Sequence, residues 1–277
     1  MLSRRPHGPG LGLRGAFAEE LGELSQPGPD WLEIVPESWL NFGGWRRKAL
    51  DRCMERWPTI PHSVSLNLGG PDPLDGALLS ALRSLCRRSG APFFSDHLCY
   101  SSLGGVALND LLPLPFSEEA AAHFARRVRQ AQDAVELPLL VENITYYARM
   151  PGSEMDEVDF LLSVLDQSGC GLLLDVNNIY VNALNHGGNP RQVLDRLPMD
   201  RVQQIHVAGH SAHGDVVIDT HIGPIIDEVW ALYRYTLQRA GRMIPTLIEW
   251  DQDLPPLPTL LQEVERARTE AAEALRT

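Results

Sequence analysis

The chain has 277 residues, 44% of them apolar, with a formal net charge of -12. That length buries a sizeable core, and the absence of a Pro/Gly/Ser linker or composition break predicts a single domain over 1–277. The acidic balance argues against nucleic acid or an anionic membrane surface as partner, and no run approaches the ~18 apolar residues of a membrane-spanning helix.

GLGLR (10–14) predicts a first strand, followed by a helix near 15–25; WLEIV (31–35) predicts a second, with a helix near 39–55. The third strand ends near His62. A strand over 62–68 would put His62 at its start, facing the opposite end of the sheet, and Pro61 makes the earlier placement irregular. A helix near 75–89 leads to FFSDHL (93–98). Ser117 then N-caps a helix over 117–135, with Glu118 and Glu119 against the positive end of its dipole and His123 on its surface.

LPLLVEN (137–143) follows, and Ser153 with Asp156 has capping-box spacing for a helix over 153–168 that Gly169 stops. GLLLDV (171–176) with a helix at 190–197, VQQIHVAG (202–209) with one at 224–240, and PTLIEW (245–250) with one at 256–274 complete the series. Several runs are apolar on both faces, as strands of a covered parallel sheet are. Eight strand-then-helix units in this length predict an α/β fold, a (β/α)8 TIM barrel rather than an open doubly wound sheet. No strand is followed by GxGxxG or a P-loop, so nucleotide binding lacks its usual marker.

Cys53, Cys86, Cys99 and Cys170 show no CxxC spacing and no disulfide framework, which fits a reducing cytoplasm. The first fifteen residues carry basic charge but no apolar stretch of signal-peptide length. Cys99 reads as a small buried residue at a strand end, and Trp31, Trp39 and Trp250 as packing, with Trp250 placed to line the mouth.

The chemistry lies where the apolar runs end. His62, His97, Glu142, Asp175, His206 and Glu249 each close or nearly close one, and in a barrel those ends and the loops after them form the active face. Each has a bland reading alone: a hydrogen-bonded core histidine for His62 or His97, an Arg-paired carboxylate for Glu142, a helix cap for Asp175. Together they leave too many buried ionisable groups without partners. Carboxylates and imidazoles without thiolate form a set suited to iron, manganese or zinc. Glu142, able to offer one oxygen to each of two ions, is the natural bridge between His62 and His97 on one side and Asp175, His206 and Glu249 on the other. Asn178 or His210 with Asp219 and His221 would hold a third ion; an extended DTH segment would project Asp219 and His221 to the same side. His7, His186 and His213 read as loop residues.

The ordered stretches GLGLR, DWLEIVPES, HSVSLNLG, SDHLCY, LLPLPFSEEA, LVENITYY, GCGLLLDVNNIYVNALNHG, IHVAGH, DTH with VWALY, and LIEWDQDLPPLPTL span about residues 10–265. This series resembles the multinuclear non-haem iron oxidative enzymes and, more distantly, is similar to xylose-isomerase-like barrels including endonuclease IV. The resemblance implies a TIM barrel holding two or three irons and using dioxygen to oxidise cysteine, or occasionally another residue, in a ribosomally made precursor peptide. It also implies a separate partner protein that recognises the peptide leader. Position by position, His62, His97, Glu142, Asp175, His206, Asp219, His221 and Glu249 match the family pattern, as do Asn178 and His210. Glu142, Asp175 and His206 are assigned to the catalytic centre. Asn143, Asn177, Tyr146 and Asp251 are candidates for orienting the ligands. Ser38 stands where the family often has Asn after PE. The competing function is a zinc- or manganese-dependent phosphodiester hydrolase of the endonuclease IV type, which should show basic clusters at the mouth; RRK at 46–48 and CRR at 86–88 instead fall in helices expected to face outward.

Overall fold

The computed structural model describes residues 5–25, 27–40 and 42–276. In chain order, β1 (Pro9–Gly12), α1 (Ala18–Glu23), β2 (Trp31–Ile34), α2 (Gly44–Arg56), β3 (Thr59–Pro61), α3 (Gly76–Ser89) and β4 (Phe94–His97) make the first half. A hairpin of β5 (Tyr100–Leu103) and β6 (Val106–Leu112) precedes α4 (Glu118–Val135). Then come β7 (Leu139–Glu142), α5 (Glu157–Ser168), β8 (Gly171–Asp175), α6 (Val176–His186), α7 (Pro190–Arg196) and β9 (Val202–Ala208). A second hairpin, β10 (Ser211–His213) and β11 (Val216–Ile218), leads to α8 (Asp227–Ala240), β12 (Thr246–Glu249) and α9 (Leu257–Ala274).

Eight strands pair in parallel in the order β3-β2-β1-β12-β9-β8-β7-β4. The ring closes between β3 and β4 through one bridge, His62 opposite Ser95. That seam is thin for the reason Pro61 suggested: a proline donates nothing to a ladder, and the chain leaves strand geometry one residue later. Every residue of β1, β2, β3, β4, β7, β8 and β12 is buried, which is why those runs are apolar on both faces. The eight-stranded barrel with helices between its strands is the expected TIM barrel.

Helix boundaries follow local capping. Asp75 accepts from the amides of Ala77 and Leu78, and Ser117 accepts from that of Ala120. The α5 cap differs from expectation: Asp156, not Ser153, accepts from the Asp159 amide, so the helix starts at Glu157. Ser153 Oγ is taken up by the Met150 carbonyl and the Phe116 amide. Gly169 ends α5 with φ 70°, as expected.

Two features differ from the sequence expectation more substantially. The stretch after Asp175, absent from the expected helix series, is the helix α6: the Asp175 carboxylate caps it by accepting from the Asn178 amide, as its bland reading allowed, so one residue ends a strand and starts a helix. Both hairpins are additions at the C-terminal face of the barrel, rising after β4 and after β9. The second is tied down by Asn185, whose amide side chain donates to the Val217 carbonyl at 2.8 Å and accepts from its N–H at 2.9 Å.

Candidate metal centre

Register sets the level at which the donors meet. His97 pairs with Glu142 across β4 and β7, and Asp175 pairs with His206 across β8 and β9. Glu249 ends the neighbouring β12 opposite Ala208. Barrel closure then turns these strand ends toward one axis, and His62, His97, Glu142, Asp175, His206 and Glu249 are all buried there.

Glu142 occupies the middle. Its Oε2 lies 3.3 Å from His62 Nε2 and 3.4 Å from His97 Nε2, while its Oε1 lies 3.3 Å from His206 Nδ1. Glu249 Oε2 is 3.1 Å from that same nitrogen. The donors gather in two groups sharing Glu142: His62, His97 and Glu142; and Glu142, Asp175, His206 and Glu249. Donors held about 2.1 Å from a common ion at tetrahedral to octahedral angles stand roughly 3.0–3.4 Å apart, so this spacing suits cations better than direct contacts.

His62, His206 and His221 each have a hydrogen-bonded partner on one ring nitrogen, whereas His97 Nδ1 is buried without one and has a carboxylate only at longer range. His62 Nδ1 is 2.9 Å from Ser95 Oγ, His97 Nδ1 is 3.8 Å from Asp96 Oδ1, His206 Nε2 is 3.2 Å from Glu33 Oε2 and His221 Nδ1 is 3.0 Å from Asp251 Oδ2. Such backing carboxylates and hydroxyls orient a metal-ligating ring. The centre-facing atoms, by contrast, are stranded: Glu142 Oε2, Asp175 Oδ2, His206 Nδ1, His221 Nε2 and Glu249 Oε2 are buried without a hydrogen-bond partner. Orphaned groups cost about 1–3 kcal/mol each, so five around one cavity would be a heavy penalty unless cations satisfied them. With nitrogen and oxygen donors and no thiolate, the set fits iron, manganese or zinc.

The electrostatics agree. Burial disfavours charge on His97, yet Glu142, Asp96 and Glu249 outweigh it and raise the ring to about 9. His206 and His221 are likewise driven well above the ordinary value, against burial, by surrounding carboxylates. Burial, then Asp219, Glu142 and Glu249, push Asp175 well up. His62 goes down, through burial and the neighbouring His97 and His206, as does His210 through burial, while His206 and His221 hold Glu249 down at about 2 against burial. Without cations, this centre takes up protons instead.

The expected third group forms a chain rather than a compact cluster. His210 Nδ1 lies 2.7 Å from Asn177 Oδ1, Asn177 Nδ2 donates to Asp219 Oδ1 at 2.8 Å, and that oxygen is 3.0 Å from His221 Nε2. His221 also approaches Glu249 Oε2 at 3.8 Å, joining the chain to the main centre. Asp219 and His221 meet, though not by strand alternation: the extended chain ends at Ile218, and His221 has φ 50°. Their segment presses on the end of β9, where a Cβ on Gly209 would stand 2.5 Å from the Ile222 and Gly223 carbonyls, so the glycine of IHVAGH permits the approach. Asn178 points its amide nitrogen at the Asn143 carbonyl, leaving Oδ1 buried and unpaired.

A family profile described as "RiPP precursor modification enzyme MbnB/TglH/ChrH" matches residues 8–272. The chain belongs to this family. The MbnB/TglH/ChrH-family chain is 44% identical over 275 residues to a UPF0276 protein of Anaeromyxobacter sp. (strain Fw109-5), covering 99% of this chain and 96% of that one. It is 45% identical over 258 residues to a UPF0276 protein of Neisseria meningitidis serogroup C (strain 053442), with 92% of each covered. Among solved structures, a xylose isomerase domain protein from Alicyclobacillus acidocaldarius aligns with TM-score 0.61 and 17% identity over 96% of this chain and 99% of that one. A D-allulose 3-epimerase from Methylomonas sp. aligns with TM-score 0.60 and 14% identity over 100% and 99%. At such identities the likeness is one of barrel fold.

Several members of the site in this MbnB/TglH/ChrH-family barrel were not singled out from sequence. Glu33 is the largest omission: it sits buried in β2, accepts from Gln204 Nε2 at 2.5 Å and backs His206. Its one available signal was a carboxylate inside the apolar run WLEIV. Ser95, Asp96 and Arg14 were also passed over; the Arg14 guanidinium donates to Asp251, which backs His221. Of the proposed orienting residues, Asn143, Asn177 and Asp251 are placed for that work, Asn143 through paired bonds of 2.9 Å to the Asp175 backbone. Tyr146 is not: it stacks on His186 at 4.3 Å, at a separate pocket beside α5 and α6. Trp39 packs in the core but also lines a cavity at the mouth, and Arg46 of the RRK run lines it too rather than facing outward. Cys99 is buried with its thiol pushed well up by burial, in keeping with a packing role. Glu33→Gln should weaken metal binding about 10–100-fold by loosening His206, measured by chelator competition; unchanged affinity would leave Glu33 a mere spacer.

Proposed function

We propose that this chain is a multinuclear iron-dependent oxidative enzyme that uses dioxygen to modify cysteine, or another residue, in a ribosomally made precursor peptide. The observation that carries the reading is the position of Glu142, whose two oxygens face different groups of unpaired buried donors. In this reading His62, His97 and Glu142 hold one ion, and Glu142, Asp175, His206 and Glu249 a second. Asp219 and His221, with Asn178 or His210, serve a third. Bound iron supplies a redox-active Lewis acid with open positions for a substrate thiolate and for dioxygen.

The rest of the work falls to the chain. Ser95, Glu33 and Asp251 keep the imidazoles of His62, His206 and His221 aimed. A cavity of about 540 Å³ opens on His62, His97, His221 and Glu249, and the β5–β6 hairpin supplies its opposite wall through Ser101, Ala107 and Leu111. That wall limits water at the reacting residue while leaving one side open to a peptide. Exposed apolar residues lie on the loops around this mouth: Phe42 and Trp45 before and within α2, Leu103 and Val106 at the hairpin turn, Tyr147 after β7 and Val216 on the second hairpin. Such a rim suits a docked peptide together with a separate leader-binding partner protein. All four cysteines are buried free thiols, in line with a reducing cytoplasm. Among the described residues no helix is long and apolar enough to cross a membrane.

Anaerobic loading with ferrous iron, metal analysis and Mössbauer spectroscopy before and after oxygen exposure test the proposal. The expected result is two or three irons per chain with an oxygen-sensitive signal. A chain that takes zinc alone would contradict it, and hydrolysis of abasic-site DNA by zinc- or manganese-loaded protein would replace it with the hydrolase reading.

A further inference from the structure

The cavity over the metal centre continues outward. A second cavity of about 530 Å³ shares Arg14, Val35 and Asp251 with it and extends over the segment that follows β2. Most charge on that wall is already engaged. Arg14 donates to Asp251 at 3.0 Å, and Glu37 Oε1 accepts from Ser63 Oγ at 2.6 Å, Ser65 Oγ at 2.6 Å and the Val64 amide at 3.1 Å, while Glu37 Oε2 is buried without a partner.

Arg46 is different. It stands in the first turn of α2, half-buried, with its guanidinium carbon 4.2 Å from the Phe42 ring centroid and 5.7 Å from that of Trp45. Its Nη2 reaches across the mouth to within 4.0 Å of where a Cβ on Gly15 would stand, one residue from Arg14. Among the described residues no carboxylate pairs with it, in a chain whose formal charge is -12. Two aromatic faces hold the plane of the guanidinium without neutralising it, leaving its hydrogen-bond fork for a planar anion.

We infer that Arg46 anchors a carboxylate carried by the peptide close to the residue being modified. The carboxylate is either the peptide's C-terminal α-carboxylate or an Asp or Glu side chain, both of which match the guanidinium fork. The carboxylate-rich metal centre would otherwise repel such an anion, so a cation set between centre and solvent selects for it and fixes which way the peptide enters. The inference rests on the peptide-modifying reading above and adds to it a substrate feature and a specificity residue.

The test uses three N-acetylated tripeptides under anaerobic conditions with iron-loaded protein: Gly-Cys-Gly with a free C-terminus, the same peptide amidated, and amidated Gly-Cys-Asp. Binding is read from tryptophan fluorescence, for which Trp39 and Trp45 are suitably placed. One carboxylate probe should bind about tenfold or more tightly than the neutral amide, the scale of a charge-assisted bidentate contact. Preference for the free terminus assigns the α-carboxylate, and preference for the Asp probe assigns a side chain. Arg46→Gln should erase the preference with metal content unchanged, and Arg46→Lys should keep part of it. Absence of preference in the parent, including no binding of any probe, or its persistence in Arg46→Gln, overturns the assignment. Because binding is measured without oxygen, a failure of the oxidative reading would leave this result standing, and oxidation without carboxylate preference would remove only the role of Arg46.

Discussion

Glu142→Ala is expected to abolish multinuclear metal uptake, leaving one ion or none per chain, and to cut turnover by at least about 10³-fold, as expected for removing one member of a set that acts as a unit. The reason is geometric. Glu142 is common to both donor groups, so truncation leaves His62 and His97 as a two-nitrogen site and Asp175, His206 and Glu249 as a three-donor site with nothing joining them. Glu142→Gln should fall between the two, keeping one oxygen and losing the bridging charge. The metal-free variant should also be less stable than the metal-free parent below about pH 9, because truncation leaves the buried His97 and His206 without the carboxylate that pairs with them. Metal analysis paired with thermal melts checks both halves. Full stoichiometry in Glu142→Ala would mean the ions are held elsewhere.

The second large effect is the response to chelation. Ions at about a thousand times their dissociation constant add about 4 kcal/mol to stability, which for a chain of this size is a melting shift of about 10 °C. Stripping the metal should therefore lower Tm by about that much, and the drop should grow with pH. The sign follows from the raised groups. In the metal-free chain His97, lifted to about 9 by Glu142 against burial, contributes stability that is complete below about 6.5, its unfolded value, and is lost as pH rises through about 9. Asp175, pushed up by burial and by Asp219, acts in the same direction, since its protonated form is the one the fold favours. Bound cations replace those protons, so the loaded protein should lack this loss and release protons on binding. Calorimetric melts with and without chelator from pH 6.5 to 9 make the comparison, and parallel curves would show that the imidazoles and carboxylates are paired only with one another.

The donors legible in the sequence were those at strand ends. His97, Glu142, Asp175 and Glu249 each terminate a buried run, and a closed parallel barrel brings such ends together whatever the loops do. Glu33 was illegible because it backs His206 from a strand 173 positions earlier, and only the order β2-β1-β12-β9 makes them neighbours across the barrel. Helix α6 was missed because VNNIYVNALNH contains four asparagines, weak helix formers, and the helix relies on the Asp175 cap and on packing against β9 and α8. The hairpins escaped notice because their strands are short and largely exposed, without the apolar alternation that marks a buried strand.

By itself the sequence determined the repeating strand-then-helix plan and the chemical identity of the donors, because periodicity and the cost of burying charge are properties of short stretches of chain. Only the tertiary structure decided which nitrogen of each imidazole faces inward, that Asp219 and His221 meet through a bend pressed against Gly209, and that Arg46 turns toward the mouth. Those outcomes depend on distances between segments remote in sequence, and ring closure with loop packing sets such distances where no local pattern can.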